Sequence, residues 1–418
     1  MGHLFVRLGD HIVGELHFEI IGARQHSTFR YAPSWSTDGP GVSIAPGMTV
    51  AQVVISTTMH QNSSPLPMAI ADSTPDSWGR AIMRAARGGA HMNDFDFLVG
   101  VDDFLRSGAL RFFESPEPGA LPLAQPRGGE HAWSVPRMID LEALVHEARA
   151  FEADPIHYRE NRAHLLGGLM LAGNGGSLGG ARPKVNVRHD NGDLWIAKLP
   201  RIGDEYDMAR TEVLAMRLAG EIGIDVADTE TFTISKQFPI AMIKRFDRTA
   251  EGRRRHMITA QTFLQLPGTE PSDYVTLADQ MLQFGGGEKV GELWLRMAYS
   301  VLIQNCDDHL RNHAFLIAGQ DWILSPAYDI NPDPAPGGRL KTAISEIHGN
   351  ELNVGAVLDS AELFHIGAQE AREALKEMAE RISKRWRLLA HELGMNPRDI
   401  QAIRPAFDNP QIRAAMLL

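Results

Sequence analysis

The residues most able to do chemistry stand together at Asn305-Cys306-Asp307-Asp308-His309-Leu310-Arg311-Asn312, with Asp329 following in Leu324-Ser325-Pro326-Ala327-Tyr328-Asp329. A carboxylate, an amide five positions later and a second carboxylate across a short hairpin form the set that phosphoryl transfer from ATP requires. In that chemistry Asp307 takes the proton of an attacking hydroxyl, while Asn312 and Asp329 hold magnesium on the phosphates. Asp308 is an alternative base, but the D-x-x-x-x-N spacing selects Asp307. His309 stands beside two Asp residues in a loop and not on a helix with a ligand at i,i+4, so it reads as a loop hydrogen-bonder rather than a metal ligand. Cys306 follows an apolar helix and reads as a small core residue.

Such a loop needs elements to hold it. Leu293, Trp294, Met297, Ala298, Val301 and Leu302 give a wide apolar stripe on a helix running into Asn305. Ala314–Ile317 and Trp322–Leu324, joined by Gly319-Gln320, predict a hairpin that returns Asp329 beside Asn312. Upstream, Gly173-Asn174-Gly175-Gly176-Ser177-Leu178-Gly179-Gly180-Ala181-Arg182-Pro183-Lys184 is dense in glycine, which lets the backbone turn its N–H groups toward phosphate oxygens. A mobile linker is an equal reading of this run taken alone, and G-x-x-x-x-G-K-[ST] is not matched. Lys184–Val187 and Leu194–Leu199 then predict a hairpin that ends in Lys198, an ammonium in need of a negative partner. A helix from about Tyr206 supplies Glu212, and strands Thr229–Ser235 and Ile240–Phe246 lead into Lys244-Arg245-Phe246-Asp247.

The outer parts are simpler. Leu4–Leu8 and Ile12–Phe18 around Gly9-Asp10 predict a hairpin, and Thr28–Tyr31 a further strand. Thr74 and Pro75 read as the cap and first turn of a helix carrying Trp78, Ile82 and Met83. The Pro/Gly-rich stretch 115–136 reads as a connector, and 138–172 as helical. Leu375, Met378, Ile382, Trp386, Leu389 and Leu393, stopped by Gly394, predict one long amphipathic helix.

At 418 residues the chain exceeds one ordinary core, so at least two lobes are expected. No apolar run reaches a membrane span, and the first residues lack the character of a signal peptide. With a single cysteine, internal disulfides and multi-cysteine zinc centres are excluded. The cytosol is the expected compartment. A net charge of −11 argues against binding DNA through a general basic field; Arg253-Arg254-Arg255 reads as a solvated loop, with a docking patch for an acidic partner as the alternative.

Taken together, the motifs resemble the HipA-type serine/threonine kinases of bacterial toxin–antitoxin systems, in their long form. The resemblance rests on the Leu4-Phe5-Val6 hairpin, Phe29-Arg30-Tyr31, Pro75–Arg80, Gly108–Phe112, Ser177–Lys184, Ala197–Pro200, Lys244–Arg248, Asp307–Asn312 and Pro326–Asp329. It implies an α+β, bilobal, protein-kinase-like fold. Residues 1–125 would form a β-rich subdomain, 126–247 the kinase N-lobe and 248–418 a helical C-lobe. It implies that Asp307 is the catalytic base and that Asn312 and Asp329 bind Mg2+. ATP would be held by Gly179, Gly180, Ala181, Arg182, Pro183, Lys184 and Lys198. Lys244, Arg245 and Phe246 would meet adenine, and His309, Asn312, Tyr328 and Asp329 would complete the nucleotide site.

Ser177 matches the serine whose autophosphorylation silences members of that family. A phosphoserine there would add nearly two negative charges beside the ATP phosphates. Leu178-Gly179-Gly180 departs from the family's usual loop and leaves it more flexible. A HipB-like helix-turn-helix antitoxin, operator DNA reached through it, and a protein substrate in translation, such as an aminoacyl-tRNA synthetase, are the implied partners. Two other readings stand: a small-molecule phosphotransferase, against which Asn305 occupies the place usually held by His, and an idle kinase fold acting as corepressor, against which Lys198, Asp307, Asn312 and Asp329 are intact.

Overall fold

The computed structural model describes residues 2–52, 54–59, 64–124, 135–162, 182–234, 238–268 and 270–418. Ser177, Gly179, Gly180 and Ala181 lie outside the described residues. The chain forms two compact units, Met1–Ile202 with Arg245–Glu270 and Gly203–Lys244 with Pro271–Leu418. The division therefore passes through the segment 126–247 instead of along its ends.

In the first unit, β1 (Gly2–Leu8), β2 (His11–Ile21), β3 (Arg24–Tyr31), β4 (Ile55–Thr58) and β5 (Leu110–Phe113) make an antiparallel sheet in the order β4-β3-β2-β1-β5. Gly9, at φ 60°, takes the left-handed backbone that the β1–β2 turn requires. The register slips between Val6 and Arg7 and passes over Val13. Such a bulge lets Val13 and Leu16, three positions apart, both reach the core, where each is fully buried. The helix Ser77–Ala86 starts two residues later than Thr74-Pro75 suggests, because Asp76 is its cap and accepts from the Gly79 N–H at 2.8 Å. The helical stretch after residue 138 is broken: Leu141–Ala153 and Pro155–Arg162 meet at Asp154, where the following proline disfavours helical backbone. β6 (Lys184–Arg188) and β7 (Leu194–Lys198) form the expected hairpin.

The second unit opens with the helix Met208–Glu221, then the antiparallel pair β8 (Thr229–Ile234) and β9 (Phe238–Lys244). Its remaining core is helical. On the helix Val290–Leu302 the whole predicted stripe is buried. Trp294 donates to the Val357 carbonyl at 3.0 Å and Tyr299 to that of Ala215 at 2.8 Å, so the buried polar tips of both side chains are satisfied. The long helix predicted near the C-terminus runs Ala368–Glu392; Trp386 on its inner face stacks on Phe407 with ring centroids 5.3 Å apart. Each such fully buried side chain contributes roughly 1.5–3 kcal/mol. Among the described residues, no helix is long and apolar enough to cross a membrane.

Candidate active site

In the second unit the apolar helix ends at Leu302, and the polar residues begin on the turn beyond it. Cys306 sits in that turn, buried, with its thiol pushed up to about 11 by burial and by Asp333 and Asp307. That suits a packed residue and not a nucleophile. The strands Ala314–Ala318 and Asp321–Leu324 pair as expected. Tyr328 then donates to the Arg311 carbonyl at 2.8 Å, which ties the segment carrying Asp329 to the loop carrying Asn312.

The adjacent carboxylates Asp307 and Asp308 have opposite surroundings. Asp308 is buried and accepts from the Tyr274 hydroxyl and, at 2.9 Å, from Ser300; His313 lies 3.1 Å away. Burial opposes its charge, but His313, Tyr274 and Ser300 together hold its carboxyl below the usual range. Asp307 is exposed, and its carboxyl is raised by partial burial and by the negative charges of Asp329 and Asp308, with His309 and Lys341 acting in the opposite sense. A raised, accessible carboxylate suits proton acceptance from a hydroxyl, whereas Asp308 has no capacity to spare.

Asn312 is also buried. Its Nδ2 donates to the Asp307 carbonyl at 3.1 Å, and its Oδ1 has no hydrogen-bond partner among the described residues. A buried carbonyl-type oxygen without a donor is costly unless a ligand completes it. Asp329 has left-handed backbone at φ 58°, a strained state for a non-glycine residue. Asn331 holds it there, donating from Nδ2 to the Asp329 carboxylate at 2.8 Å and to its carbonyl at 3.2 Å. The Asn331 N–H donates in turn to Asn305 Oδ1 at 3.2 Å. An amide oxygen and a carboxylate are hard ligands, so Asn312 and Asp329 fit a magnesium ion.

His309 bonds within the loop through its backbone, as a loop hydrogen-bonder would. Its backbone N–H donates to the Asp307 carbonyl at 2.9 Å, but its buried Nδ1 has no partner among the described residues. The supporting roles of Tyr274, Ser300, His313 and Asn331 were not readable in advance. Only Asn331, two residues after Asp329, carried a local signal.

The other expected nucleotide contacts divide between the units. Glu212 is buried in the second. Lys244, also there, lies 3.7 Å from the exposed Asp228. In the first unit Lys198 ends β7, buried, directly opposite Lys184 on β6. The Lys184 ammonium lies 2.8 Å from the Asp76 carboxylate, both nearly inaccessible to solvent, so it is engaged inside this unit. Burial raises the Asp76 carboxyl even though Lys184 and the Gly79 N–H oppose the shift. Arg182 and Phe246 are half-buried and Pro183 is buried.

Arg245 needs correction as an adenine contact. Its guanidinium donates to Asp247 at 2.9 and 2.7 Å, to Asn186 at 2.8 Å, and to the carbonyls of Leu105 and Arg106 at 2.7 and 3.1 Å. Five donors are all used, and the backbone N–H is taken by the Leu194 carbonyl. Arg248 adds bonds to Asp247 at 2.7 Å and to the Phe104 and Arg106 carbonyls, and Arg254 reaches Asp103. This segment locks residues 103–108 in place.

Two family models match the chain: HipA-like C-terminal domain over residues 176–386, half of the chain, and HipA N-terminal domain over residues 4–111. The chain belongs to the HipA family. The HipA-like C-terminal match contains Lys184, Lys198, Asp307, Asn312 and Asp329, and the HipA N-terminal match contains Asp76 and nearly all of the β1–β5 sheet. Among solved structures, HipA of Shewanella oneidensis MR-1, in a complex with HipB and operator DNA, superposes with a TM-score of 0.71 at 16% identity. That likeness covers 99% of this chain and 96% of the other, so the α+β HipA fold expected from the sequence is present throughout. Toxin YjjJ of Escherichia coli is 24% identical over 261 residues, 59% of this chain and 57% of its own. Putative kinase Y4dM of Sinorhizobium fredii is 28% identical over 217 residues, 47% of this chain and 52% of its own. The chain thus spans just over half the length of the curated relatives it matches.

Proposed function

We propose that this HipA-family chain is an ATP- and magnesium-dependent serine/threonine protein kinase that acts as the toxin of a toxin–antitoxin pair. The observation that carries the reading is the loop 305–312: an exposed carboxylate of raised pKa at Asp307, beside a buried and fully engaged one at Asp308, five residues before an amide oxygen with an open lone pair. Asp307 accepts the proton of the attacking hydroxyl. Asn312 and Asp329 hold magnesium, and Lys198 neutralises the α- and β-phosphates. When bound, the metal offsets the negative charge of the phosphates.

The protein substrate is a component of translation, with aminoacyl-tRNA synthetases first among candidates, and Ser177 is the autophosphorylation site. A HipB-like helix-turn-helix antitoxin is the partner, as HipB is for the Shewanella protein. It supplies the positive charge for operator DNA that a chain of net charge −11 lacks. The test is intact-mass spectrometry after incubation with ATP and magnesium. One added phosphate mapped to Ser177 is expected, and none with Asp307→Gln. Phosphate uptake by the Asp307→Gln protein equal to that of wild type would remove Asp307 from the mechanism.

A further inference from the structure

Away from the active-site loop, β1 and β2 bring three side chains of metal-ligating type together. His3 lies directly opposite His17, and Phe5 directly opposite Glu15, so His3, Glu15 and His17 share one face of the sheet. The opposite face carries Leu4, Val6 and Leu16, all buried, which leaves the histidines toward solvent. The two imidazole rings stack with centroids 4.2 Å apart and planes within 10° of parallel. Glu15 Oε2 lies 3.0 Å from His3 Nε2 and 3.6 Å from His17 Nε2. All three candidate ligand atoms fall within 4.8 Å of one another.

We propose that His3, Glu15 and His17 bind a borderline divalent transition-metal ion of the zinc type, with a fourth position open to water. Zinc–nitrogen and zinc–oxygen bonds of about 2.0–2.2 Å in a tetrahedron separate the ligand atoms by roughly 3.3–3.6 Å. The two contacts to Glu15 already have nearly that spacing, but the rings are stacked almost parallel, so the two exposed histidines must turn out of the stack for both Nε2 lone pairs to meet one ion. What points to a cation is that two imidazole nitrogens and one carboxylate, all ligand atoms for such an ion, come together within 4.8 Å on one exposed face. Two imidazoles and one carboxylate favour zinc, copper or nickel over magnesium, which separates this site chemically from Asn312 and Asp329. Arg30, opposite Glu15 across β2 and β3, adds a positive charge to the same face and limits the affinity. A bound ion would clamp β1 to β2 outside the hydrogen-bonded ladder.

The test is equilibrium dialysis of the untagged full chain against zinc, with excess magnesium and without ATP, so that its outcome is independent of kinase activity. The wild-type protein is expected to hold one more equivalent than His3→Ala/His17→Ala, and Glu15→Gln is expected to weaken that equivalent by at least the about 10–100-fold that loss of an outer-shell partner costs. Cobalt should give the intense visible absorption of a tetrahedral ion, lost in the double variant. Both histidines are exposed, so thermal unfolding without metal should be the same in all three proteins; that comparison identifies any variant that fails to fold. Equal zinc uptake and an unaltered cobalt spectrum in a folded double variant would overturn the proposal.

Discussion

The segment Arg245–Arg248 of the first unit and the loop Asp307–Asn312 of the second both look like ligand sites in the sequence, yet their polar atoms are used differently. Around Asp247 every role is filled. The carboxylate is fully buried, which alone would raise its pKa, but Arg245, Arg248 and the Gly108 N–H hold it well below the ordinary range. Asp308 is the equivalent anchor in the second region. Beside it stand groups with capacity left over: the exposed Asp307, the open Oδ1 of Asn312 and the open Nδ1 of His309. A saturated buried cluster holds the chain in shape, and an unsaturated one awaits something from outside.

Substitution at Asp307 should give the largest effect on turnover with the least on stability. Asp307→Asn is expected to lower kcat by about 10²–10⁴-fold while shifting unfolding by no more than about 0.5 kcal/mol; ATP turnover and a urea titration on the same sample measure both. The base must be ionised and its carboxyl is raised by burial and by Asp329 and Asp308, so the acid limb of kcat/KM should lie above the ordinary aspartate range. A limb within or below that range would break the contrast with Asp308.

Asp247→Ala should reverse the pattern. It strands the guanidinium groups of Arg245 and Arg248 in the interior, at a cost of about 3–5 kcal/mol. The urea midpoint should fall accordingly, while activity per folded molecule is retained. A loss of activity at full folding would instead make this segment part of the chemistry.

Acid should weaken the first unit through a buried imidazole. His256 is buried, donates from Nε2 to the Ile44 carbonyl at 2.8 Å, and has its pKa lowered by burial from 6.5 to about 4. The unfolded chain takes up this proton first as pH falls. Its contribution is therefore complete above pH 6.5 and is lost on the way down to about 4, amounting to about 3 kcal/mol. His256→Gln should flatten stability against pH across that window, as read by urea midpoints. An unchanged slope would assign the acid sensitivity elsewhere.

What the sequence made legible was local. The β1–β2 and β6–β7 hairpins, the buried stripe Leu293–Leu302 and the helix Ala368–Glu392 follow from periodicity and turn residues within a few positions of one another. The hairpin that carries Asp329 back toward the loop of Asn312 was legible for the same reason. The roles of Arg245 and Lys184 were not. Arg245 bonds to carbonyls 139 and 140 residues away in the chain, and Lys184 is met by Asp76 from a different helix. The helix cap was misplaced for a related reason: Asp76 serves both Gly79 and Lys184, whereas a proline at position 75 advertises only the turn. Asp307 and Asp308 could be ranked by spacing, but only burial separates the engaged carboxylate from the accessible one.

The clasp between residues 103–108 and Arg245–Arg254 has a further consequence for how such a chain can change. Although a recognisable N-terminal module ends near residue 111, it cannot be cut away as a cassette. Its backbone carbonyls accept from three later arginines, Arg245, Arg248 and Arg254. A shortened descendant would have to replace those cations before it could discard the module, so the two must be inherited together.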